Sequence, residues 1–287
     1  MREDTFELAA ADGHRWRMQA RLPEGRPRAS LLWSPALGIA ARHYLPFAEA
    51  LAGLGIATFL HEWRGHGSSD LRADHGCDWG YRELLEMDMP VAEAAVEAAC
   101  PGTPRIIGGH SLGGQVSACR LALSPRSAER LWLVGSGAPF PPSAFGLPIR
   151  LGLAVAVRLL PWLARRSGAL PGRRLGFGGR EAPGVMRDWA GTARARGYRI
   201  HSLGRDLDPL LAKVEVPIDG VVLADDTYAP EASMRALSGK LASPLHVTRL
   251  DDALLEGRAD HFKWMKTPDA VARALAARLP GSVPTMR

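Results

Sequence analysis

The chain has 287 residues, 46% hydrophobic and 23% charged, which is the balance of a folded globular protein and argues against disorder or a fibrous repeat. Its three cysteines (Cys77, Cys100, Cys119) lack C-x-x-C spacing, so they predict neither a disulfide framework nor a zinc site. The net charge of +6 is uneven: residues 140–213 hold thirteen Lys+Arg against four Asp+Glu, without the interleaved aromatics of a nucleic-acid module.

The polar start Met1-Arg2-Glu3-Asp4 has no apolar h-region, which predicts no signal peptide and a reducing, cytoplasmic setting. Thr5–Ala10 and His14–Leu22 flank Asp12-Gly13 and read as a hairpin. Ala29–Trp33 and Ile56–His61 are short apolar runs, hence buried strands, and Ala41–Leu54 between them has helical periodicity. Tyr81–Ala99 reads as a helix, Arg105–Gly109 as a strand, Leu112–Leu123 as a helix and Leu131–Gly135 as a strand. Such alternation predicts an α/β fold: a mostly parallel sheet with helices on both faces. The pattern stops near Pro139 and resumes with Ile218–Ala224 (strand), Pro230–Leu241 (helix), Leu245–Leu250 (strand) and Asp269–Leu279 (helix).

The interruption divides the chain into a core over 1–138, an inserted helical cap over 139–210, and the rest of the core over 211–287. Within the cap, Leu147–Leu163 is the most lipid-like stretch. Pro148, Arg150, Arg158 and Pro161 interrupt it, and it is expected to fall short of a membrane span. The pairs Arg165-Arg166 and Arg173-Arg174 read either as a solvated surface or as one that attracts an acidic partner.

Gly109-His110-Ser111-Leu112-Gly113 is a G-x-S-x-G pentapeptide that follows an apolar strand and opens a helix. On so sharp a turn the flanking glycines let strand and helix approach, and the helix N-terminus directs free N–H groups beside the serine. A serine hydroxyl is a weak nucleophile, so it needs a base and an acid that orients the base. Of nine histidines, His110 is expected to point away from the turn and His66 lies in a glycine-rich turn. His261 lies beyond the last strand, where a sheet of this type places its ligand crevice. It is the candidate base. For the acid, Asp226 is preferred over Asp225, both following the strand that ends at Ala224; helix capping is the alternative role for the pair.

These features, in the order Ser111, Asp226, His261, resemble the α/β-hydrolase superfamily, within it the serine hydrolases with a helical cap. Trp63-Arg64-Gly65-His66-Gly67-Ser68 is similar to the family's turn after the fourth strand. The resemblance spans most of the chain, the cap excepted. It implies the α/β-hydrolase fold and an oxyanion hole made by the backbone N–H of Leu112 and one from Ser34-Pro35-Ala36-Leu37-Gly38, with Leu37 as the donor and Ala36 as the alternative. Pro35 has no N–H to give. The sequence departs from the family pattern at Pro35-Ala36, where His-Gly is common, at Leu223, where glycine precedes the acid, and at Asp260, which puts a second carboxylate beside the base.

Serine at position 111 implies an acyl-enzyme rather than dehalogenation or epoxide opening, with no metal or organic cofactor required. The expected reaction is hydrolysis of a carboxylic ester or thioester. Transfer of the acyl group to another acceptor, and a ligand-binding protein on an idle scaffold, are the alternatives. Leu151, Leu153, Val155, Val157, Leu159, Leu160 and Trp162 either line an acyl pocket or simply pack the cap. The cap arginines suggest an acidic phosphopantetheine carrier, a coenzyme A phosphate or a fatty carboxylate as what they meet. Glu181 is the only glutamate in the cap, which argues against an aminopeptidase that holds a substrate amine with cap glutamates.

Overall fold

A computed structural model describes residues 1–176 and 178–280. Eight strands form one sheet: β1 (Arg2–Ala9), β2 (Arg15–Leu22), β3 (Ala29–Ser34), β4 (Ile56–Leu60), β5 (Arg105–His110), β6 (Arg130–Val134), β7 (Ile218–Leu223) and β8 (Leu245–Leu250). Their spatial order is β1-β2-β4-β3-β5-β6-β7-β8. β2 runs against both its neighbours, and every other pairing is parallel. β3, β4 and β7 are buried along their whole length, because helices cover both faces of a parallel sheet.

The longer helices are α1 (Leu45–Gly53), α2 (Met89–Ala99), α3 (Leu112–Leu123), α4 (Leu147–Ser167), α5 (Pro183–Ala195), α6 (Glu231–Ser238) and α7 (Asp269–Ala276). One apolar cluster fills the face covered by α2 and α3, and a second packs α1 and α7 on the other side. β6 and β7 are hydrogen-bonded neighbours although residues 135–217 separate them in sequence. The intervening segment leaves from the carboxyl edge of the sheet, and within it α4 packs on α5.

Three local expectations change. The hairpin connection is wider than a two-residue turn: Ala10 N–H donates to His14 O and Gly13 N–H to Ala10 O. The helix expected over Tyr81–Ala99 carries a π-helical stretch at Glu83–Asp88, which turns Asp88 into the interior. α4 is one continuous helix of 21 residues, long and apolar enough by length and composition to cross a membrane. Pro148 sits in its first turn, where no intrahelical N–H is missed, so it does not interrupt the helix. α4 nevertheless lies against the protein through Val157, Leu160 and Ala164.

Candidate active site

Ser111 joins β5 to α3 with φ +54° and ψ −120°, a left-handed backbone that a non-glycine residue adopts only when its surroundings impose it. The glycines on either side permit the turn. A Cβ on Gly109 would lie 2.3 Å from the Gly113 carbonyl carbon, and one on Gly113 would lie 2.0 Å from Ser34 O. Hence only hydrogen fits at either position, and α3 begins hard against the end of β3. Ser111 N–H donates to Val134 O at 3.2 Å, and Ser136 Oγ donates to Ser111 O at 2.7 Å.

His261 Nδ1–H donates to Asp226 Oδ2 at 2.7 Å, with both side chains almost fully buried. The second carboxylate oxygen of Asp226 accepts from the N–H groups of Tyr228 (2.8 Å) and Ala229 (2.9 Å). Those bonds fix the acid's rotamer, and the acid in turn fixes the imidazole, leaving Nε2 as its other nitrogen. Asp225 turns outward instead, 3.9 Å from Arg258, and both of those side chains are more than half exposed. The Asp260 carboxylate caps its own turn through Phe262 N–H (3.0 Å) and Lys263 N–H (2.8 Å), with Lys263 Nζ at 3.5 Å. Burial works against that charged carboxylate, but these donors outweigh it and lower the pKa.

Ser111, Leu112, Leu37 and His261 line one cavity of about 130 Å³ at the carboxyl edge of the sheet. Phe145, Ile149, Leu153 and Trp189 from the inserted segment form its apolar side. Of the α4 residues expected in an acyl pocket, Leu153 alone borders it. Val157 and Leu160 pack into the core. Leu151, Val155, Leu159 and Trp162 are exposed, together with Leu147. A 21-residue helix offers several faces, and only one of them can meet the cavity.

The loop after β3 is tightly held. Pro35 O accepts from Trp63 Nε1 at 2.9 Å, and Ala36 N–H donates to Tyr44 Oη at 2.9 Å. The Ala36 donor is therefore committed, and Leu37 is the next N–H along the loop. Tyr44 O–H reaches His110 Nδ1 at 2.8 Å, and the His110 ring lies 4.7 Å from the His261 ring. Burial, with the neighbouring His261 adding to it, holds His110 well below its ordinary pKa, so it is a neutral acceptor for the tyrosine hydroxyl. Burial likewise raises the Tyr44 hydroxyl and keeps it protonated.

Sequence reasoning did not single out Tyr44. Nothing local distinguishes a tyrosine at the start of an apolar helix from packing. Gln115 was missed too: it is buried at the cavity, one turn into α3, and its Oε1 accepts from Tyr198 Oη at 3.3 Å.

The glycine-rich turn after β4 is held from below. Arg64 pairs with Asp88 (2.7 and 2.8 Å) and with Asp12 (2.6 and 3.0 Å), and His14 bridges Asp88 and Ser69, both at 3.0 Å. From that turn His66 crosses to the inserted segment and meets Glu181 at 3.2 Å. Burial disfavours the His66 cation, but Glu181 outweighs it and lifts the imidazole above its usual range. Among the described residues no cluster of three or more His, Cys, Asp or Glu is placed to hold a metal.

The family model described as "Serine aminopeptidase, S33" matches residues 25–175, more than half of the chain. The chain belongs to this family of α/β-hydrolases. The S33 match takes in Ser111 and the loop after β3 and ends before Asp226 and His261. Human monoglyceride lipase is 28% identical over 123 residues, which is 43% of this chain and 40% of the lipase. The rat monoglyceride lipase is 26% identical over 132 residues, 46% of this chain and 43% of the relative. This S33 chain thus spans less than half the length of the curated relatives it matches. Among solved structures, DcsB in complex with its substrate analogue aligns with TM-score 0.63 at 17% identity, covering 98% of this chain and 100% of that one. An esterase domain from a Rhodothermus marinus protein aligns with TM-score 0.63 at 18% identity, covering 96% and 97%. At such identities these two likenesses show the fold.

Proposed function

We propose that this S33-family chain is a serine hydrolase of apolar carboxylic esters, acting through an acyl-enzyme on Ser111 beneath a cap formed by residues 139–210. One observation carries the reading. The buried His261–Asp226 pair, 2.7 Å apart, borders the same cavity as the strained Ser111. In the first half-reaction Ser111 Oγ bonds to the substrate carbonyl carbon while His261 Nε2 takes the hydroxyl proton. Asp226 holds the imidazole in the required tautomer and offsets the charge it gains. The oxyanion of the tetrahedral intermediate sits between the N–H groups of Leu112 and Leu37. The carbon–oxygen bond to the leaving alcohol then breaks, and His261 returns the proton to that oxygen. Water repeats the sequence on the acyl-enzyme and releases the acid. A thioester follows the same path with a thiol leaving group.

The partial likeness to monoglyceride lipases supports an ester as substrate. So does the cavity wall, where Phe145, Ile149, Leu153 and Trp189 suit an acyl chain. Peptide substrates with a free amine are disfavoured. Among the described residues no carboxylate lines the cavity, and Glu181 is already engaged by Gly179 N–H at 2.6 Å and by His66. The test is labelling by a fluorophosphonate, followed by a series of p-nitrophenyl esters and acyl-thioesters of graded length. Labelling should vanish in Ser111→Ala, with esterase activity falling on the order of 10⁵- to 10⁶-fold. A wild-type chain that takes up no probe and turns over no ester would instead be a binding protein on this scaffold.

A further inference from the structure

A second cavity, of about 500 Å³, lies across the wall from the first. Arg42 and His43 come to it from the segment before α1, and Arg72 from the loop after β4. Arg173, Arg174 and Arg180 come from the inserted segment. Among the described residues no carboxylate lines this cavity. Two acids stand behind its wall, and Glu62 is within electrostatic reach of Arg42 and His66. Glu62 accepts from Ala41 N–H (3.0 Å) and Ser68 N–H (3.3 Å), and Glu181 accepts from Gly179 N–H and faces His66. Arg72 is anchored by the carbonyls of Ser69, Leu71 and Gly67, and Arg180 Nε by Ala73 O at 2.9 Å. Arg42, Arg173 and Arg174 have no ion-pair partner among the described residues. His43 registers the crowding: burial first, then Arg42 and Arg173, push its imidazole below its ordinary range.

Guanidinium groups do not deprotonate in a protein, so these exposed side chains stay cationic, and an anion that enters the basin meets several of them at once. Several forks that approach one basin from different segments match a tetrahedral phosphoryl group, which offers acceptor oxygens in several directions, better than a single planar carboxylate.

The basin also shares a wall with the Ser111 cavity. Leu37 and Gly178 face the Ser111 cavity, while Gly38 and Gly179 face the basin. A Cβ on Gly38 would lie 2.2 Å from Gly179 N, so the loop carrying the Leu37 N–H rests directly on the inserted segment. We propose that this basin is a binding site for a phosphoryl anion, which ties the arginines of the inserted segment to Arg42 and so bears on the oxyanion loop. The binding part of this proposal stands by itself. Its coupling to the reaction rests on the ester-hydrolase reading above.

The test is calorimetric titration of the full chain with inorganic phosphate and with pyrophosphate, at constant ionic strength set with chloride. Saturable binding is expected in the wild type and equally in Ser111→Ala, which keeps the outcome separate from whether the chain hydrolyses esters. Arg173→Gln/Arg174→Gln should weaken it about tenfold or more, and Arg42→Gln, on the core side, should do the same if the double variant folds poorly. Arg165→Gln/Arg166→Gln, at the end of α4, should leave it unchanged. Absence of saturation, or an equal loss in the Arg165/Arg166 variant, overturns the site. Two sources can supply the phosphoryl group, and turnover tells them apart. If phosphate competes with acyl-coenzyme A and spares p-nitrophenyl butyrate, the group belongs to the substrate's leaving half. If it alters p-nitrophenyl butyrate turnover, the ligand is a free effector. Binding without effect on either substrate overturns the coupling.

Discussion

The charges buried in the core and the arginines of the inserted segment are held in opposite ways. In the core, buried charges meet partners from distant parts of the chain: Arg64 with Asp12 and Asp88, Arg130 with Asp219 at 2.7 Å, His261 with Asp226. In the inserted segment the arginines lie at the surface, and α4 exposes Leu147, Leu151, Val155 and Leu159 at four-residue spacing along one face. Burial explains the contrast. An unpaired charge inside the core costs several kcal/mol, so partners there are obligatory, whereas an exposed guanidinium costs nothing until something approaches it. The core therefore holds its charged groups in fixed geometry, and the inserted segment leaves its arginines and one apolar face of α4 exposed.

The largest expected effect lies on the core side. Asp226→Asn keeps the shape of the acid but lets the histidine take the wrong tautomer, and kcat should fall on the order of 10⁴-fold. Asp225→Asn, whose carboxylate is exposed beside Arg258, should stay within about twofold of wild type. Comparable losses in the two variants would mean that the local geometry of the 225–229 turn, and not the contact with His261, is what matters.

Next comes the response of the core to acid. His61 is fully buried, and burial pushes its imidazole down to about 4 from an ordinary 6.5. Between those two values the unfolded chain binds a proton that the folded chain refuses. Stability should therefore fall as pH drops from 6.5 towards 4, by about 3 kcal/mol at most, with no contribution from His61 above that window. Below pH 4 the loss passes to paired carboxylates such as Asp12, whose bond to Arg64 holds its pKa below the usual value. Denaturant midpoints measured across this range should slope less in His61→Gln. Parallel curves for the two proteins would assign the acid sensitivity to other groups, the buried His110 first among them.

Tyr44→Phe probes the strap between the loop after β3 and the turn that carries Ser111. The change leaves Ala36 N–H without its acceptor and His110 Nδ1 without its donor, both in the interior. About 1–3 kcal/mol of stability should go, and kcat should drop about tenfold as the neighbouring Leu37 N–H loosens, with KM for a short ester little changed. A rise in KM at constant kcat would show that the loop shapes the pocket and does not serve the transition state.

The same contrast governs what the sequence disclosed. Strand and helix periodicity gave the sheet within a residue or two at most ends, because buried strands must be apolar and α3 had to follow a glycine-flanked turn. Ser111 follows β5 at once, whereas Asp226 lies three residues past the end of β7 and His261 eleven past the end of β8, so their proposal as partners of Ser111 came from chain order and from their place beyond the strand ends. The Asp12–Arg64–Asp88–His14 network was not legible: its bonded partners lie as many as 74 positions apart, and a charged residue in sequence reads as surface until its partner is known. The assignment within α4 was also out of reach. Apolar residues surround most of that helix, so periodicity could not tell the face toward the cavity from the face toward solvent.

The smallest effect is expected on that solvent face. Leu151 is 59% exposed, and Leu160, nine residues on in the same helix, is 9% exposed. Leu160→Ala removes buried methyl groups from the packing under α4 and should cost about 2–4 kcal/mol. Leu151→Gln removes nothing from the interior and should shift stability by less than about 0.5 kcal/mol. It should also leave hydrolysis of a short water-soluble ester as it was, since Leu151 does not border the cavity. If Leu151→Gln destabilised the fold as much as Leu160→Ala, the exposed stripe would have to be covered in solution, and the inserted segment would share the core's demand for partners.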